Sequence, residues 1–527
     1  MTSGIIAAGH PQTAQAGAEI LRAGGNAVDA AVAATFASFV AEPTLVTPGG
    51  GGHALVYRRR DGHAWLYDFF CNTPGLGCAK PSSEVDFFPV SVDFGPTHQI
   101  FHIGRGSVAV PGNIAGLCRL QKDKGRLPLA EVLQPAITLA RRGVALGDFC
   151  AYVAHLLHPI FNNEPELATL MGAPDLYGNP HFEYQNPALA DLLEALGREG
   201  ADLVYRGDVA RSIVADQEAH GGLLTRHDLE NYRVIVREPL RLTYRGMELY
   251  TNPPPSRGGA LIAFSLALLE PYEVPSLAHG STGHVVLLAE VMRQTNLARP
   301  TFESSGDVEL FFARDHVEYH RQDLARRLAR PGHAAPTDLS LGPGHHNTSH
   351  VSVLDGNGNI VSLTTTAGET PGYVLADYGL VLNNIMGEED LHPHGFHRGR
   401  PGERIGSMMA PTVVLRDGEP VLAVGSGGSN RIRTAILQVI LNFTDFGFDL
   451  QRAVSAPRIH FEGGTLQIEA GGRPETVAQL ERWGYELVQW PDLHMFFGGA
   501  HSVGRGADGG FQGAGDPRRN GAVVGVD

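Results

Sequence analysis

A threonine in the sequence His346-Asn347-Thr348-Ser349-His350 lies where a chain can produce an N-terminal nucleophile. It follows the segment 331–346, which is rich in Pro, Gly and His and typical of an exposed linker, and it precedes residues typical of a buried strand. Cleavage of the peptide bond before Thr348 would give this residue both an attacking hydroxyl group and a free α-amine as general base. The ordinary pKa of such an amine, about 7.7–8.0, is close to the pH at which most enzymes work. Taken alone, the segment is more typical of a polar turn that leads into a strand.

A second feature is the glycine-rich segment Gly425-Ser426-Gly427-Gly428-Ser429-Asn430, which lies between a predicted strand and a predicted helix, 431–443. Backbone N–H groups in such a loop can point toward an anion, and the helix dipole favours negative charge at the same place. The segment is not a Walker A loop, because no Gly-Lys-Ser/Thr follows, and it lacks the Gly-x-Gly-x-x-Gly spacing of a dinucleotide-binding unit. An oxyanion or anion site is therefore one interpretation, and an ordinary glycine-rich turn is the other.

The elements that must position these residues change character along the chain. An Ala-rich helix over 27–40, expected to be buried, precedes a predicted hairpin of strands 53–58 and 64–70, and from Pro128 to about residue 330 the pattern is mainly helical. After residue 346 paired strands dominate: 351–354 and 360–366 flank one turn, and 412–416 and 420–424 flank another. Alternating hairpins and helices favour a layered α+β or α/β architecture.

Composition limits the class of protein. Of 527 residues, 18% are charged and 43% are hydrophobic, so a large core can form. The formal net charge of −15 argues against a nucleic-acid-binding protein and against a basic face for an anionic membrane. Four cysteines without a C-x-x-C pair favour neither a disulfide scaffold nor a zinc ribbon. No signal peptide is visible at the start of the sequence, which predicts a cytoplasmic protein.

The motif Thr348-Ser349-His350-Val351-Ser352-Val353-Leu354-Asp355, followed by Thr364-Thr365-Thr366, resembles the γ-glutamyltransferase family of N-terminal-nucleophile hydrolases. The resemblance extends over nearly the whole chain. The other matching motifs are Gly24-Gly25-Asn26-Ala27-Val28-Asp29-Ala30-Ala31, Gly49-Gly50-Gly51-Gly52, Ser107-Val108-Ala109-Val110-Pro111-Gly112, Pro253-Pro254-Pro255-Ser256, 379–384 and Pro457-Arg458. So many spaced motifs in one order make the resemblance specific.

This resemblance implies an α+β fold, the four-layer αββα sandwich of N-terminal-nucleophile hydrolases. It also implies that the precursor cleaves itself between Asn347 and Thr348. The products are a large subunit, 1–347, with the helical outer region and part of the sandwich, and a small subunit, 348–527, that begins with the nucleophile. The two subunits are expected to stay intertwined in a single composite fold, with a homo-oligomer of the processed heterodimer as a further possibility. No metal or organic cofactor is implied.

The same resemblance assigns roles at the catalytic centre. Thr348 is the expected nucleophile and would carry the acyl group as an ester. Thr366 is expected to hydrogen-bond the nucleophile and its amine. Gly428 and Ser429 are expected to supply the backbone N–H groups of an oxyanion hole, each donor contributing about 2.7–4 kcal/mol.

The predicted substrate pocket departs from the family pattern. Phe70 takes the place of an arginine that grips the α-carboxylate of a γ-glutamyl group. The other pocket positions are Gly368 in place of Asn, Ile385 in place of Gln or Glu, Glu388 in place of Asp, Ser407 as the first of a Ser-Ser pair, and Met408 in place of its second serine. An aromatic ring cannot replace the bidentate bond of arginine to a carboxylate, so a drier pocket is predicted. The segment 384–407 is also shorter than in relatives with a lid, which predicts an open cleft.

Two further candidates are better explained as structural residues. His392, His394 and His397 have the spacing of metal ligands, but no Asp, Glu or Cys accompanies them in an evident metal-binding pattern, which favours a solvated loop. Cys71 lies beside the missing arginine position, yet no histidine follows nearby in sequence, so a small pocket-wall residue is favoured over a nucleophile.

We therefore predict a self-processing γ-glutamyltransferase or glutathione hydrolase-like enzyme. Its partners would be a small acyl amide donor, a γ-glutamyl compound or analogue, and water or an amine as acceptor, with neither nucleic acid nor a membrane among them. One alternative has the same fold but another acyl donor, as in glutaryl or cephalosporin acylases. From a different class, an unprocessed protein that binds an anion would account for the glycine-rich loop.

Self-cleavage predicts that a denaturing gel of the purified protein shows two bands, corresponding to 1–347 and 348–527. Mass spectrometry should identify Thr348 as the N-terminal residue of the smaller fragment, and Thr348→Ala should leave a single band because the attacking hydroxyl group is gone. A single band from an active wild-type preparation would contradict self-cleavage.

Overall fold

Two large antiparallel sheets lie face to face between two layers of helices. The computed structural model describes residues 1–78, 82–93, 98–173, 175, 177–329, 347–471, 474–506 and 508–527, so the predicted linker 331–346 lies outside the described residues. The order of layers, helices–sheet–sheet–helices, confirms the predicted α+β sandwich.

The strands alternate with helices along the chain. They are β1 (Gly4–Ala8), β2 (Gly51–Arg58), β3 (His63–Phe69), β4 (Phe88–Asp93), β5 (His98–Ile103), β6 (Val144–Ala145), β7 (Glu183–Tyr184), β8 (Ile235–Arg237), β9 (Leu240–Tyr244), β10 (Met247–Thr251), β11 (Ser349–Asp355), β12 (Ile360–Thr366), β13 (Thr412–Arg416), β14 (Glu419–Val424), β15 (Ile459–Glu462), β16 (Thr465–Ile468), β17 (Glu486–Gln489), β18 (Ser502–Arg505), β19 (Phe511–Ala514) and β20 (Ala522–Val526). The first large sheet has the order β20-β1-β11-β12-β2-β3-β8, and the second has the order β19-β18-β14-β13-β10-β9.

The helices cover the outer face of each sheet. They are α1 (Pro11–Arg22), α2 (Ala27–Ala41), α3 (Asn113–Lys124), α4 (Leu129–Val132), α5 (Gln134–Arg142), α6 (Gly147–Leu156), α7 (His158–Phe161), α8 (Pro165–Leu170), α9 (Pro187–Glu199), α10 (Asp202–Tyr205), α11 (Asp208–Ala219), α12 (Arg226–Asn231), α13 (Gly258–Leu269), α14 (Thr282–Ser305), α15 (Val308–Phe311), α16 (Arg314–Leu328), α17 (Arg431–Thr444), α18 (Leu450–Ser455) and α19 (Pro474–Arg482). Among the helices described, not one has both the length and the apolar character needed to cross a bilayer.

Alternation of side chains along the strands builds three buried layers. Ile5 of β1 packs in the core between the two sheets, whereas Ile6 packs against the helices on the outer face. In the second sheet, Val413 of β13 belongs to the core between the sheets and Val414 to the opposite helical side. Because successive side chains point to opposite faces, both faces of each sheet are apolar and covered.

Helix α2 is the central helix of the first outer layer, and every one of its residues is buried. Asn26 begins it with a capping box: its side chain accepts hydrogen bonds from the N–H groups of Val28 and Asp29, and Asp29 accepts from the N–H of Asn26. These bonds satisfy backbone donors that a buried helix start would otherwise leave unpaired. The helix packs on β11 and β12, and its C-terminal cap is Glu42.

The division predicted after residue 347 crosses one continuous fold. Strands β11 and β12, from the C-terminal part, lie between β1 and β2, from the N-terminal part, in the same sheet. Within the hairpin Ser349 is opposite Thr365. This register places Thr348, just before β11, beside Thr366 at the end of β12.

A buried ion-pair network stabilises the C-terminal segment. Arg518 donates hydrogen bonds to the carboxylates of Glu469 and Asp516, and Arg458 Nη2 lies 2.7 Å from Asp516 Oδ2. All four side chains are buried. Burial alone would raise the pKa of Asp516, but the two arginines hold it well below its ordinary value.

Removing one member of this network should destabilise the fold strongly. Arg518→Met leaves two buried carboxylates short of a partner and should lower the free energy of unfolding by about 3–5 kcal/mol. Chemical denaturation followed by circular dichroism measures the change. Arg482→Met, at an exposed position at the end of α19, is the matched control and should change the denaturation midpoint little. Equal midpoints for the two variants would contradict the assignment.

Candidate active site

The two features singled out in the sequence meet at one small cavity. Its lining residues are Phe70, Thr348, Thr366, Gly368, Ile385, Glu388, Asp390, Leu391, Ser407, Met408, Met409, Ser429 and Ile432. Every predicted substrate-pocket residue is in this set, as are Thr348, Thr366 and Ser429 from the predicted catalytic group. Gly428 and Asn347 do not line the cavity, but each is the chain neighbour of a residue that does.

Thr348 is held at the start of β11. It is buried, and its carbonyl oxygen accepts a hydrogen bond from Arg519 Nη1 at 3.2 Å. Gly427 packs directly on this residue, since a Cβ atom at Gly427 would lie only 2.3 Å from the carbonyl oxygen of Thr348. The glycine-rich loop can therefore approach Thr348 this closely only with glycine at position 427.

The peptide group between Asn347 and Thr348 is already polarised. The Thr366 hydroxyl group donates a hydrogen bond to the carbonyl oxygen of Asn347, and it accepts one from the N–H of Gly368 at 3.1 Å. The side chain of Asn347 donates to the carbonyl oxygen of Thr44 at 2.8 Å, which fixes the residue before the predicted cleavage point. A donor on this carbonyl oxygen stabilises the negative charge that attack by a hydroxyl group would create there.

The glycine-rich loop runs from β14 to α17 with two residues in unusual backbone conformations. Gly428 has φ +120° and Ser429 has φ +53°, the left-handed region that glycine adopts more readily than serine. The Ser429 hydroxyl group donates to Asp390 Oδ2 at 2.8 Å, which anchors the loop to the segment on the other side of the cavity. Within the described residues no group accepts a hydrogen bond from the N–H of Ser429.

The pocket wall is apolar where the family pattern predicts a cation. Phe70 is fully buried and stacks on His53, with ring centroids 5.8 Å apart. Among the described lining residues there is no Lys, Arg or His, while Glu388 and Asp390 contribute two carboxyl groups. The electrostatic character of the wall therefore disfavours an anionic group on a ligand.

Backbone geometry explains the loss of a side chain at position 368. Gly368 has φ +66°, and a Cβ atom there would lie 2.1 Å from Asn384 Oδ1 and 2.7 Å from Glu388 Oε1. An amide side chain cannot occupy this position without moving both neighbours.

The cavity at this site is small, whereas the short segment 384–407 predicts an open cleft. The cavity measures about 30 Å³, which is room for about two water molecules. Asn347 stays buried beside it, and Asp390 and Leu391, from the short segment, form part of the wall.

Three residues near the site were not found by sequence analysis: Glu42, Asp390 and Arg519. Each is a single charged residue far from Thr348 in sequence, so no local motif marks it. The loop histidines hydrogen-bond to the backbone: His392 Nε2 to the carbonyl oxygen of Ile385 and His397 Nε2 to that of Gly106, each at 2.9 Å. In the described part of the chain no three His, Cys, Asp or Glu side chains come together as a metal site.

Cys71 is fully buried and does not line the described cavity. Burial raises the pKa of its thiol well above the ordinary value, so the reactive thiolate is disfavoured. This supports the structural explanation for Cys71.

The hydrogen bond from Thr366 to Asn347 leads to a prediction about cleavage. Thr366→Val keeps the shape of the side chain but removes the hydroxyl donor, so self-cleavage should slow by about 10²–10³-fold. The fraction of cleaved chain with time after cell-free synthesis, read from a denaturing gel, measures the rate. Thr365→Val, on the opposite face of β12, is the control and should be cleaved at the wild-type rate. Equal rates for both variants would contradict this role of Thr366.

Comparison with known proteins agrees with the geometry. The family model Gamma-glutamyltranspeptidase matches residues 13–526. The chain is 36% identical to the acylase ACY 1 proenzyme of Pseudomonas sp. (strain SE83) over 99% of this chain and 93% of that protein. It is 31% identical to the glutathione hydrolase proenzyme of Escherichia coli (strain K12) over 98% of this chain and 90% of that protein.

Solved structures extend the agreement to three dimensions. The fold matches the crystal structure of cephalosporin acylase from Bacillus halodurans with a TM-score of 0.84, at 25% identity over 100% of this chain and 96% of that chain. Helicobacter pylori γ-glutamyltranspeptidase matches with a TM-score of 0.53, at 27% identity over 60% of this chain and 90% of that chain. Sequence, sandwich and site geometry thus lead to one conclusion: this chain belongs to the gamma-glutamyltranspeptidase family of N-terminal-nucleophile hydrolases, and it is an enzyme.

Proposed function

We propose that this protein cleaves itself before Thr348 and then transfers a γ-glutamyl or related acyl group from an amide donor to water or an amine. One observation carries the proposal: Thr348, Thr366 and Ser429 line the same cavity, with the Asn347 carbonyl oxygen hydrogen-bonded to Thr366. These residues carry the groups that acyl transfer requires: a nucleophilic hydroxyl group, a second hydroxyl donor and a backbone N–H.

Self-cleavage begins with attack by the Thr348 hydroxyl oxygen on the carbonyl carbon of Asn347. The bond between this carbon and the Thr348 nitrogen breaks, the hydroxyl proton passes to the nitrogen, and an ester links the two residues. Water then hydrolyses the ester, which releases the carboxylate of Asn347 and leaves Thr348 with a free hydroxyl group and a free amine. Thr366 stabilises the oxyanion of the first step because its hydroxyl group already donates to that carbonyl oxygen.

Turnover of a donor repeats this chemistry with the free amine as base. The amine takes the proton of the Thr348 hydroxyl group as its oxygen attacks the acyl carbonyl carbon, and the N–H groups of Ser429 and Gly428 bind the oxyanion. The C–N bond of the donor breaks, and the leaving amine takes the proton. Water or an acceptor amine then attacks the ester on Thr348 and releases the acyl group, which restores the hydroxyl group.

A donor without an α-carboxylate is the second candidate within this function. Phe70 favours it, because an apolar ring stands where the family pattern has an arginine, and Ile385 and Met408 extend the same apolar wall. The two candidates correspond to the names of the relatives, since the chain is similar both to glutathione hydrolases and to acylases. The non-catalytic alternative, an anion-binding protein, has no support from the family.

Two donors distinguish the acyl candidates: γ-glutamyl-p-nitroanilide and hexanoyl-p-nitroanilide. We expect release of p-nitroaniline from at least one of them by wild-type protein and from neither by Thr348→Ala, because the nucleophile is missing. The apolar wall predicts a higher kcat/KM for the hexanoyl donor. Equal release by Thr348→Ala would overturn the assignment of the nucleophile.

A cation introduced at position 70 should change this preference. Phe70→Arg restores a group that binds carboxylate, so the ratio of kcat/KM for the γ-glutamyl donor over the hexanoyl donor should rise by about 10-fold or more. Phe70→Leu, which keeps the wall apolar, is the control and should leave the ratio near its wild-type value. An unchanged ratio in a folded, cleaved Phe70→Arg protein would show that this wall does not contact the donor.

A further inference from the structure

Glu42 is a buried carboxyl group to which the proposed mechanism gives no role. It is the residue that caps the C-terminal end of α2, and only 1% of its surface is exposed. A buried carboxyl group is costly unless hydrogen bonds compensate. Both of its oxygens accept a hydrogen bond from a hydroxyl group, Oε1 from Thr13 Oγ1 and Oε2 from Ser349 Oγ, each at 2.7 Å.

The bond to Ser349 connects Glu42 with the residue directly after the nucleophile. Ser349 is the first residue of β11. The carbonyl oxygen of the preceding residue, Thr348, accepts a hydrogen bond from Arg519. Two charged residues therefore hold the dipeptide Thr348-Ser349. After self-cleavage Thr348 loses its covalent bond to Asn347, so these hydrogen bonds help to decide where its hydroxyl group and amine lie.

The surroundings make Glu42 the group that changes charge near neutral pH. Burial raises the pKa of Glu42 to about 7, although the two hydroxyl donors and the charge of Arg519 lower it. Burial lowers the pKa of Arg519 to about 10, which leaves it charged, and raises that of Cys150 to about 12, which leaves it neutral. His501 packs beside Gly9, as Glu42 does. Burial lowers the pKa of His501 to about 4, so this histidine is neutral as well.

We propose that Glu42 is a positioning residue of the catalytic centre, which holds Thr348 through Ser349 and whose negative charge sets the proton affinity of the Thr348 amine. The inference rests on the proposed function, since it concerns the amine that self-cleavage creates. A nearby negative charge favours the protonated amine and so raises its pKa. Removing that charge should let the amine lose its proton at lower pH.

Glu42→Gln tests the charge without removing the hydrogen-bond acceptor. We expect Glu42→Gln to cleave itself. The rise of its kcat with pH should move to lower pH by about 0.3–1 unit. The assay uses the p-nitroanilide donor that wild-type protein cleaves best. Ser349→Ala tests the connection instead, because it breaks the hydrogen bond from Ser349 to Glu42. It should lower kcat by about 3- to 10-fold. The Ser349 hydroxyl group lowers the pKa of Glu42, so its loss leaves Glu42 neutral over a wider pH range, and the rise should move in the same direction as in Glu42→Gln. A purely structural Glu42 predicts no shift of the rise in either variant.

An unmoved rise in cleaved, active Glu42→Gln would overturn this inference while leaving the proposed function in place. Failure of wild-type protein to cleave itself or to release p-nitroaniline would instead overturn the proposed function. Glu42→Asp covers the case in which Glu42→Gln is not cleaved, because it keeps the charge. Cleavage of the Asp variant with a wild-type pH profile supports the inference, and an uncleaved Asp variant contradicts it.

Discussion

Antiparallel pairing between β11 and β12 is the constraint on which the rest of the site depends. It sets Ser349 opposite Thr365, and so it places the residue before β11 beside the last residue of β12. The pairing is protected because the hairpin lies inside a seven-stranded sheet, covered on one face by α2 and on the other by the second sheet. Backbone hydrogen bonds in such a covered sheet are shielded from water, so the pairing fixes Thr348 beside Thr366.

The residues proposed for catalysis and those proposed for substrate specificity lie in different parts of the sandwich. The groups assigned to the chemistry lie on the hairpin and on the turn from β14 to α17, both of which belong to the sandwich. The cavity walls come mostly from Phe70, directly after β3, and from the loop residues 385–409. Loop and strand-end side chains can change without disturbing sheet pairing. This separation lets Phe70 stand where the family pattern has an arginine while the hairpin that holds Thr348, the proposed nucleophile, stays unchanged.

Buried charged residues lie beside Thr348, the proposed nucleophile. Arg519 reaches the Thr348 carbonyl oxygen, and its neighbour Arg518 is fully enclosed between two carboxylates. Such ion pairs are expensive to bury, and they persist where hydrogen bonds satisfy nearly every donor and acceptor. Their place next to Thr348 joins the stability of the C-terminal segment to the position of the catalytic residue.

The alternation of helices and hairpins and the helix over 27–40 could be predicted from the sequence, and Thr348 could be proposed as the nucleophile, because turn residues, hydrophobic periodicity and motif spacing act over a few neighbours along the chain. The predicted pocket residues also came from motif order alone. Three-dimensional contacts were needed to find Glu42, Asp390 and Arg519 near the site, the left-handed conformation of Ser429 and the small size of the cavity. These features depend on contacts between residues that are far apart in sequence, and no local pattern records such contacts.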